Sequence, residues 1–186
     1  MKYYISDLHL FHNRILEKFN RPFSSVEEMH EVIINNWKNK VKDDDTVYIL
    51  GDVGMYHARE IGNILNNLPG RKILVTGNHD FKNIHSSSYK KTFAKITSYL
   101  EIEDNGRNVV LFHYPIEDWN GKYRGYYHLH GHVHNNGDSL SKKDRRYNVS
   151  AEIVDYIKLS KEARRTFKLP SFNAGNKPLR IRAYTK

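Results

Sequence analysis

The chain has 186 residues, within the range of about 100–200 usual for one domain, and 39% of them are hydrophobic, enough to bury a core. Cysteine is absent, which excludes disulfides, thiolate zinc sites and cysteine nucleophiles and leaves only nitrogen and oxygen donors for a metal. Lysine and arginine outnumber aspartate and glutamate by 30 to 21, a net charge of +9 that suits an anionic partner without naming it.

Met1 leads into the strand-like Lys2-Tyr3-Tyr4-Ile5 with no secretory pattern, and no run approaches the roughly 18 apolar residues of a membrane span. A soluble, cytoplasmic protein is expected. The first strand ends at Asp7-Leu8-His9. A helix is predicted over 13–19, stopped by the turn Arg21-Pro22-Phe23. Ser25-x-x-Glu28 then forms a capping box for the clearest helix, whose Val26, Met29, Val32, Ile33, Trp37 and Val41 recur at three- and four-residue spacing. That stripe must pack on a sheet.

After the loop Asp43-Asp44-Asp45, the run Thr46-Val47-Tyr48-Ile49-Leu50 is a strand that delivers Gly51-Asp52. A helix over 57–68 ends at Pro69-Gly70, and the strand Lys72-Ile73-Leu74-Val75-Thr76 runs into Gly77-Asn78-His79-Asp80. The order so far, β-α-α-β-α-β, argues for an α/β fold with a largely parallel first sheet. From residue 96 strands dominate: one over 96–102, a hairpin turn at Asp104-Asn105-Gly106, and another over 107–112 leading to His113. A strand over 126–130 presents Gly131-His132-Val133-His134, and Tyr147-Asn148-Val149 is a short strand. Residues 160–165 are predicted to form one or two helical turns, and 179–184 alternate as an edge strand would. The late basic residues Lys142, Lys143, Arg145, Arg146, Arg164, Arg165, Lys168, Lys177, Arg180 and Arg182 read first as a solvated face.

In open α/β sheets the ligand site lies beyond the carboxyl ends of the strands, and each cluster of Asp, Asn and His falls just past such an end. Asp-x-His in a tight extended turn lets side chains two apart reach one ion. In Gly-His-x-His the glycine permits close backbone approach and the imidazoles can serve neighbouring ions. Alone, Gly77-Asn78-His79-Asp80 reads as an ordinary turn, and a lone His113 as a structural histidine. Together, the ordered clusters describe a two-metal hydrolytic site.

These blocks, Asp7-x-His9, Gly51-Asp52, Gly77-Asn78-His79-Asp80, His113 and Gly131-His132-x-His134, resemble those of the calcineurin-like metallophosphoesterases. The chain also resembles the small single-domain phage and bacterial branch at Leu10-Phe11-His12, Arg21-Pro22-Phe23, Asp45-Thr46-Val47, His113-Tyr114-Pro115, Trp119 and Leu129-His130. The resemblance covers residues 2–157. It implies an α/β four-layer sandwich, two mixed β-sheets flanked by helices, with the site at the carboxyl ends of the strands. One domain over 1–186 is expected, with a core over about 2–157 and a basic C-terminal extension over 158–186.

The resemblance also implies a ligand set: Asp7, His9 and His134 for one metal, Asn78, His113 and His132 for the other, and Asp52 between them. His79 becomes the acid that assists the leaving oxygen, with Asp80 as a partner to its ring. His12, Arg14 and Arg21 are candidate substrate contacts; Lys122 and Arg124 are also candidates because they suit phosphate oxygens. His130 is expected to be structural. The cofactors implied are two divalent ions, manganese first, with iron, zinc, cobalt or nickel admitted by the same donors.

Asp52 is followed by Val53-Gly54-Met55-Tyr56 where the protein serine/threonine phosphatases carry Val-Asp-Arg-Gly, which counts against a phosphoprotein substrate. The expected activity is hydrolysis of a small phosphate ester or nucleotide, as a phosphodiesterase. Two alternatives are a nuclease on single-stranded or short nucleic acid and a non-catalytic metal-binding interaction module. A nucleic-acid partner is admitted but not required.

Overall fold

A computed structural model of the chain describes residues 1–136, 145–154 and 156. Its first sheet has the order β1-β2-β3-β4, formed by Lys2–Ile5, Thr46–Ile49, Arg71–Val75 and Lys95–Thr97. All three pairings in it are parallel. Between the strands lie α1 (Arg14–Lys18), α2 (Val26–Lys40), α3 (Ala58–Asn66) and α4 (Ser87–Lys91). The strands read as near-continuous apolar runs because a parallel sheet is covered on both faces, and Val47, Ile49, Leu74 and Val75 are all fully buried.

The second sheet, β5-β6-β7-β8, comprises Tyr99–Asp104, Arg107–Phe112, Tyr127–His130 and Arg146–Asn148. It is mixed: β5 and β6 form an antiparallel hairpin, and β7 and β8 add in parallel. The hairpin turn sits at Asn105 and Gly106, with φ of 51° and 75°, the paired left-handed residues that a type I′ turn demands and that Asn-Gly supplies.

The predicted strand over 96–102 divides. Its first part, β4, pairs with β3; its second, β5, pairs with β6, and Ser98 is the bend between the sheets. The alternation of Ile96, Leu100 and Ile102 continues through the bend with no glycine or proline to mark it, so the pattern hides the change of sheet.

Helix α2 buries Val26, Met29, Ile33 and Trp37, each contributing about 1.5–3 kcal/mol by leaving water. Its N-cap Ser25 accepts from the Glu28 N–H at 3.1 Å, but the Glu28 carboxylate accepts from Ser24 N–H and hydroxyl, so the reciprocal half of the box closes one residue upstream. One hydrophobic core draws on both sheets, joining Ile5, Val47 and Leu74 to Val109, Leu111 and Leu129. The sheets also meet edge to edge beyond β1 and β8: Ser6 N–H donates to the Val149 carbonyl and Ala151 N–H to the Ser6 carbonyl, each at 2.9 Å. That seam lies at the carboxyl ends of both strands, beside Asp7. The readings of helix over 160–165, edge strand over 179–184 and most of the late basic cluster fall outside the described residues. No helix among the described residues is long and apolar enough to cross a membrane.

Candidate metal centre

Each chemical cluster begins where a strand stops: Asp7 after β1, Asp52 after β2, Asn78 after β3, His113 after β6 and His132 after β7. The backbone there is unusual. Asp7, His9, Asp52, His132 and His134 have φ of 56°, 51°, 53°, 71° and 52°, a left-handed conformation that costs a non-glycine residue on the order of 1 kcal/mol or more. The first two loops hold one another in it, since Asp7 N–H donates to Gly51 and His9 N–H to the Asp52 carbonyl, both at 3.0 Å. Space dictates two glycines: a Cβ on Gly77 would lie 2.8 Å from the Asp52 nitrogen, and one on Gly131 would collide with Ser6 Oγ and Asp7 Oδ2.

Asp7 divides its oxygens. Oδ2 accepts from Ser6 Oγ (2.6 Å), Ser150 Oγ (2.9 Å) and the His132 N–H (3.0 Å), while buried Oδ1 has no hydrogen-bond partner among the described residues. Buried His9 Nε2 is orphaned in the same way. Around these atoms, His134 Nε2 lies 3.6 Å and His9 Nε2 3.9 Å from Asp7 Oδ1, and His9 Nε2 and His113 Nε2 each lie 3.6 Å from Asp52 Oδ2. Donors held about 2.1 Å from one ion at tetrahedral or wider angles stand roughly 3.4–3.9 Å apart, so the separations fit ligands rather than hydrogen bonds. Asp7, His9 and His134 form one buried group able to hold an ion, and Asp7, Asp52 and His113 another. Asn78 joins the second side, its Oδ1 3.0 Å from both His113 Nε2 and His132 Nδ1.

Hydrogen bonds and burial orient the imidazoles. The Leu50 carbonyl, 2.7 Å from His113 Nδ1, accepts its proton and turns the Nε2 lone pair inward. Burial, reinforced by His134, Arg21, His12 and His79, pushes His9 well below the usual histidine range, and burial followed by His113 lowers His132. Burial raises Asp52, opposed by His113. The first group is sealed, whereas Asn78 and His132 are exposed, so the second side faces solvent.

His79 is half-buried at this open side; its N–H donates to Asp52 Oδ1 (2.8 Å) and its Nε2 lies 4.0 Å from Asp52 Oδ2. Asp80 is not beside the His79 ring, contrary to the sequence expectation. Its fully buried carboxylate accepts from the N–H groups of Asp52 (2.9 Å), Val53 (3.1 Å) and Gly77 (2.8 Å), and from Tyr89 Oη (3.3 Å). Burial, with Asp52 adding and the backbone donors opposing, raises it to about 6. Neighbours in a tight turn point apart, which adjacency in sequence conceals.

His12 stands at the same mouth, Nδ1 3.1 Å from His9 Nδ1 and its ring 6.0 Å from that of His79. Arg14 is exposed on α1. Arg21 is buried behind the first loop, donating to the Asp7 (2.6 Å) and Leu8 (3.1 Å) carbonyls and pairing with Glu152 at 3.0 Å, so its guanidinium braces Asp7 instead of facing a substrate. Lys122 and Arg124 lie over Trp119 and Tyr126 in the loop before β7. His130 is buried, Nδ1 3.0 Å from the Gly131 carbonyl.

Sequence reasoning missed Glu152, whose Oε1 accepts from His134 Nδ1 at 2.6 Å, and the Ser6 and Ser150 hydroxyls that fix Asp7. The available signal was positional, because Ser150-Ala151-Glu152 follows β8 as the other clusters follow their strands. Phe19 stacks on the His134 ring at 3.6 Å, closing the sealed side.

The family model for calcineurin-like phosphoesterases matches residues 3–181. An uncharacterized protein of Methanocaldococcus jannaschii is 35% identical over 164 residues, spanning 85% of each chain. The gene 66 protein of Mycobacterium phage L5 is 33% identical over 162 residues, covering 71% of this chain and 76% of its own. Among solved structures, a protein of unknown function from Aquifex aeolicus superposes with a TM-score of 0.69 at 32% identity, covering 84% of this chain and 92% of that one.

Proposed function

The chain belongs to the calcineurin-like phosphoesterase family and is therefore a metal-using hydrolase of phosphoester bonds, and we propose that it is a phosphodiesterase acting on a small phosphate ester or nucleotide through a pair of divalent ions. In this reading Asp7, His9 and His134 hold one ion, Asn78, His113 and His132 the other, and Asp52 serves both. The observation that carries it is the pair of orphaned buried atoms, Asp7 Oδ1 and His9 Nε2, aimed at the same space as His134 Nε2 and Asp52 Oδ2. A buried carboxylate oxygen without a partner costs several kcal/mol unless a cation compensates it. When bound, two divalent ions would supply an acidified water for in-line attack on phosphorus and neutralise its non-bridging oxygens. Manganese is the ion proposed first, and the same oxygen and imidazole donors also admit iron, zinc, cobalt and nickel.

The chain's own residues supply the rest. Substrate approaches from the side of exposed Asn78 and His132, since the other side is closed by Phe19 and Arg21. His79, pinned to Asp52 through its backbone yet half-exposed, is placed to hold a proton for the leaving oxygen, with His12 beside it at the rim. Asp80 takes no proton in this scheme; it fixes the loops that carry Asp52 and His79.

Metal-stripped protein resupplied with manganese is expected to hydrolyse bis-p-nitrophenyl phosphate, and Asp52→Asn to lower kcat by about 10³-fold or more, a loss comparable to removing a principal electrostatic stabiliser. Full activity in Asp52→Asn would rule out the shared-ligand role, and activity that survives chelation would rule out the metal.

A further inference from the structure

Next to the open side of the centre lies a cleft of about 130 Å³ lined by Met55, Tyr56, Asn78, His79, Phe81 and Lys82. That is below the roughly 300–1,000 Å³ that encloses a whole drug-sized ligand, and suits one ring system of a larger substrate. Its rim carries two large aromatic side chains that the core does not use: Tyr56 is 64% and Phe81 67% exposed. The Lys82 ammonium lies 4.6 Å over the Tyr56 ring, and the Phe81 ring meets His85 almost perpendicularly at 5.2 Å. Exposed aromatics gathered at a cleft mark a binding surface more often than isolated ones do. Two members of the lining, Asn78 and His79, also belong to the site described above, so the cleft opens directly from its His79 side.

We propose that the cleft is a base subsite, in which Tyr56 and Phe81 receive the planar ring of a nucleoside phosphate held at the metal centre. The chemistry favours a nucleobase over an alkyl or simple sugar group. A flat π-face has aromatic partners there, and the acceptors on a base edge have the Lys82 ammonium beside the Tyr56 ring as a donor. The proposal rests on the phosphoesterase reading above and narrows its substrate class to esters that carry a base.

The test compares adenosine 5′-monophosphate with ribose 5-phosphate, in which a hydroxyl at C1 replaces the base, by titration calorimetry on manganese-loaded full-length protein. The nucleotide is expected to bind about tenfold more tightly, the scale of one base–aromatic stack, and the ratio to collapse toward one in Tyr56→Ala/Phe81→Ala. Because both rings are largely exposed, the double variant should keep the wild-type circular dichroism and melting temperature. A short 5′-phosphorylated oligonucleotide that binds more tightly than the mononucleotide assigns the unit to a strand end, and equal binding assigns it to a free nucleotide; both keep the ring in the cleft. A ratio near one in wild-type protein that hydrolyses bis-p-nitrophenyl phosphate overturns the subsite alone, as does a ratio that survives the double substitution. Absence of both nucleotide binding and diester hydrolysis overturns the subsite together with the phosphodiesterase reading.

Discussion

Glu152 holds two positive or proton-donating partners at once, His134 Nδ1 at 2.6 Å and Arg21 Nη2 at 3.0 Å. Through the first it fixes the tautomer and direction of the imidazole that faces Asp7; through the second it anchors the guanidinium under the Asp7 carbonyl. Carboxylate partners of this kind raise the basicity of a ligating histidine, and their loss costs about 10–100-fold in metal affinity. Glu152→Gln keeps the shape and removes the charge, so manganese affinity in a chelator-competition titration is expected to fall within that range, with a lower melting temperature as Arg21 loses its buried partner. Unchanged affinity would mean that Phe19 stacking alone orients His134. At this scale the proposed ligands were legible because each follows a strand end in a spaced motif. Glu152 was not, since its position after β8 was the only signal and nothing else in Ala151-Glu152-Ile153 separates a carboxylate that supports a ligand from a surface one. Asp80 misled in the opposite sense, through its adjacency to His79.

The turns after β2 and β3 are held by one side chain. Asp80 accepts N–H groups from both the Gly51-Asp52-Val53 loop and Gly77, so the ends of β2 and β3 are clamped to a single buried carboxylate. An asparagine there offers one acceptor oxygen and turns a donor toward backbone donors. Asp80→Asn is therefore expected to cost about 2–4 kcal/mol in urea unfolding, the scale of charge-assisted bonds left unmade. His79→Ala, at a half-exposed position, should stay within about 0.5 kcal/mol of wild type while kcat for bis-p-nitrophenyl phosphate falls about 10²–10⁴-fold. The reverse pattern, a stable Asp80→Asn and an unstable His79→Ala, would contradict this division of labour. Elements with a local code were read well: α2 from its spacing and cap, the hairpin from Asn105-Gly106. The change of sheet at Ser98 was not, because partner choice is settled by tertiary pairing of β4 with β3 and β5 with β6, and alternation is blind to it.

For the molecule as a whole, the two-sheet architecture was foreshadowed by the shift from alternating strands and helices to strands alone, but the cost of burying histidine in the second sheet was not. His128 is fully buried, with the Val110 and Tyr114 carbonyls 3.3 and 3.2 Å from its two ring nitrogens and the Ile116 N–H at 3.4 Å. Trp119 and His130 flank it at 5.3 Å. Burial, then the neighbouring His130, lowers it to about 4; the backbone carbonyls oppose the shift and Arg146 adds to it. In the unfolded chain the same ring takes its proton near pH 6.5. The unfolded state thus binds more protons between those values, so stability is complete above about pH 6.5 and declines as pH falls toward 4. At pH 5 this one residue should cost about 2 kcal/mol relative to pH 7.5. Metal-free protein isolates the effect from loss of ligation, and His128→Gln removes the titration while keeping a polar side chain. Unfolding free energies from urea titrations at both pH values are expected to fall less in His128→Gln than in wild type by that amount. Parallel profiles would show that the carbonyls accommodate a protonated His128 and that the acid sensitivity of the fold lies elsewhere.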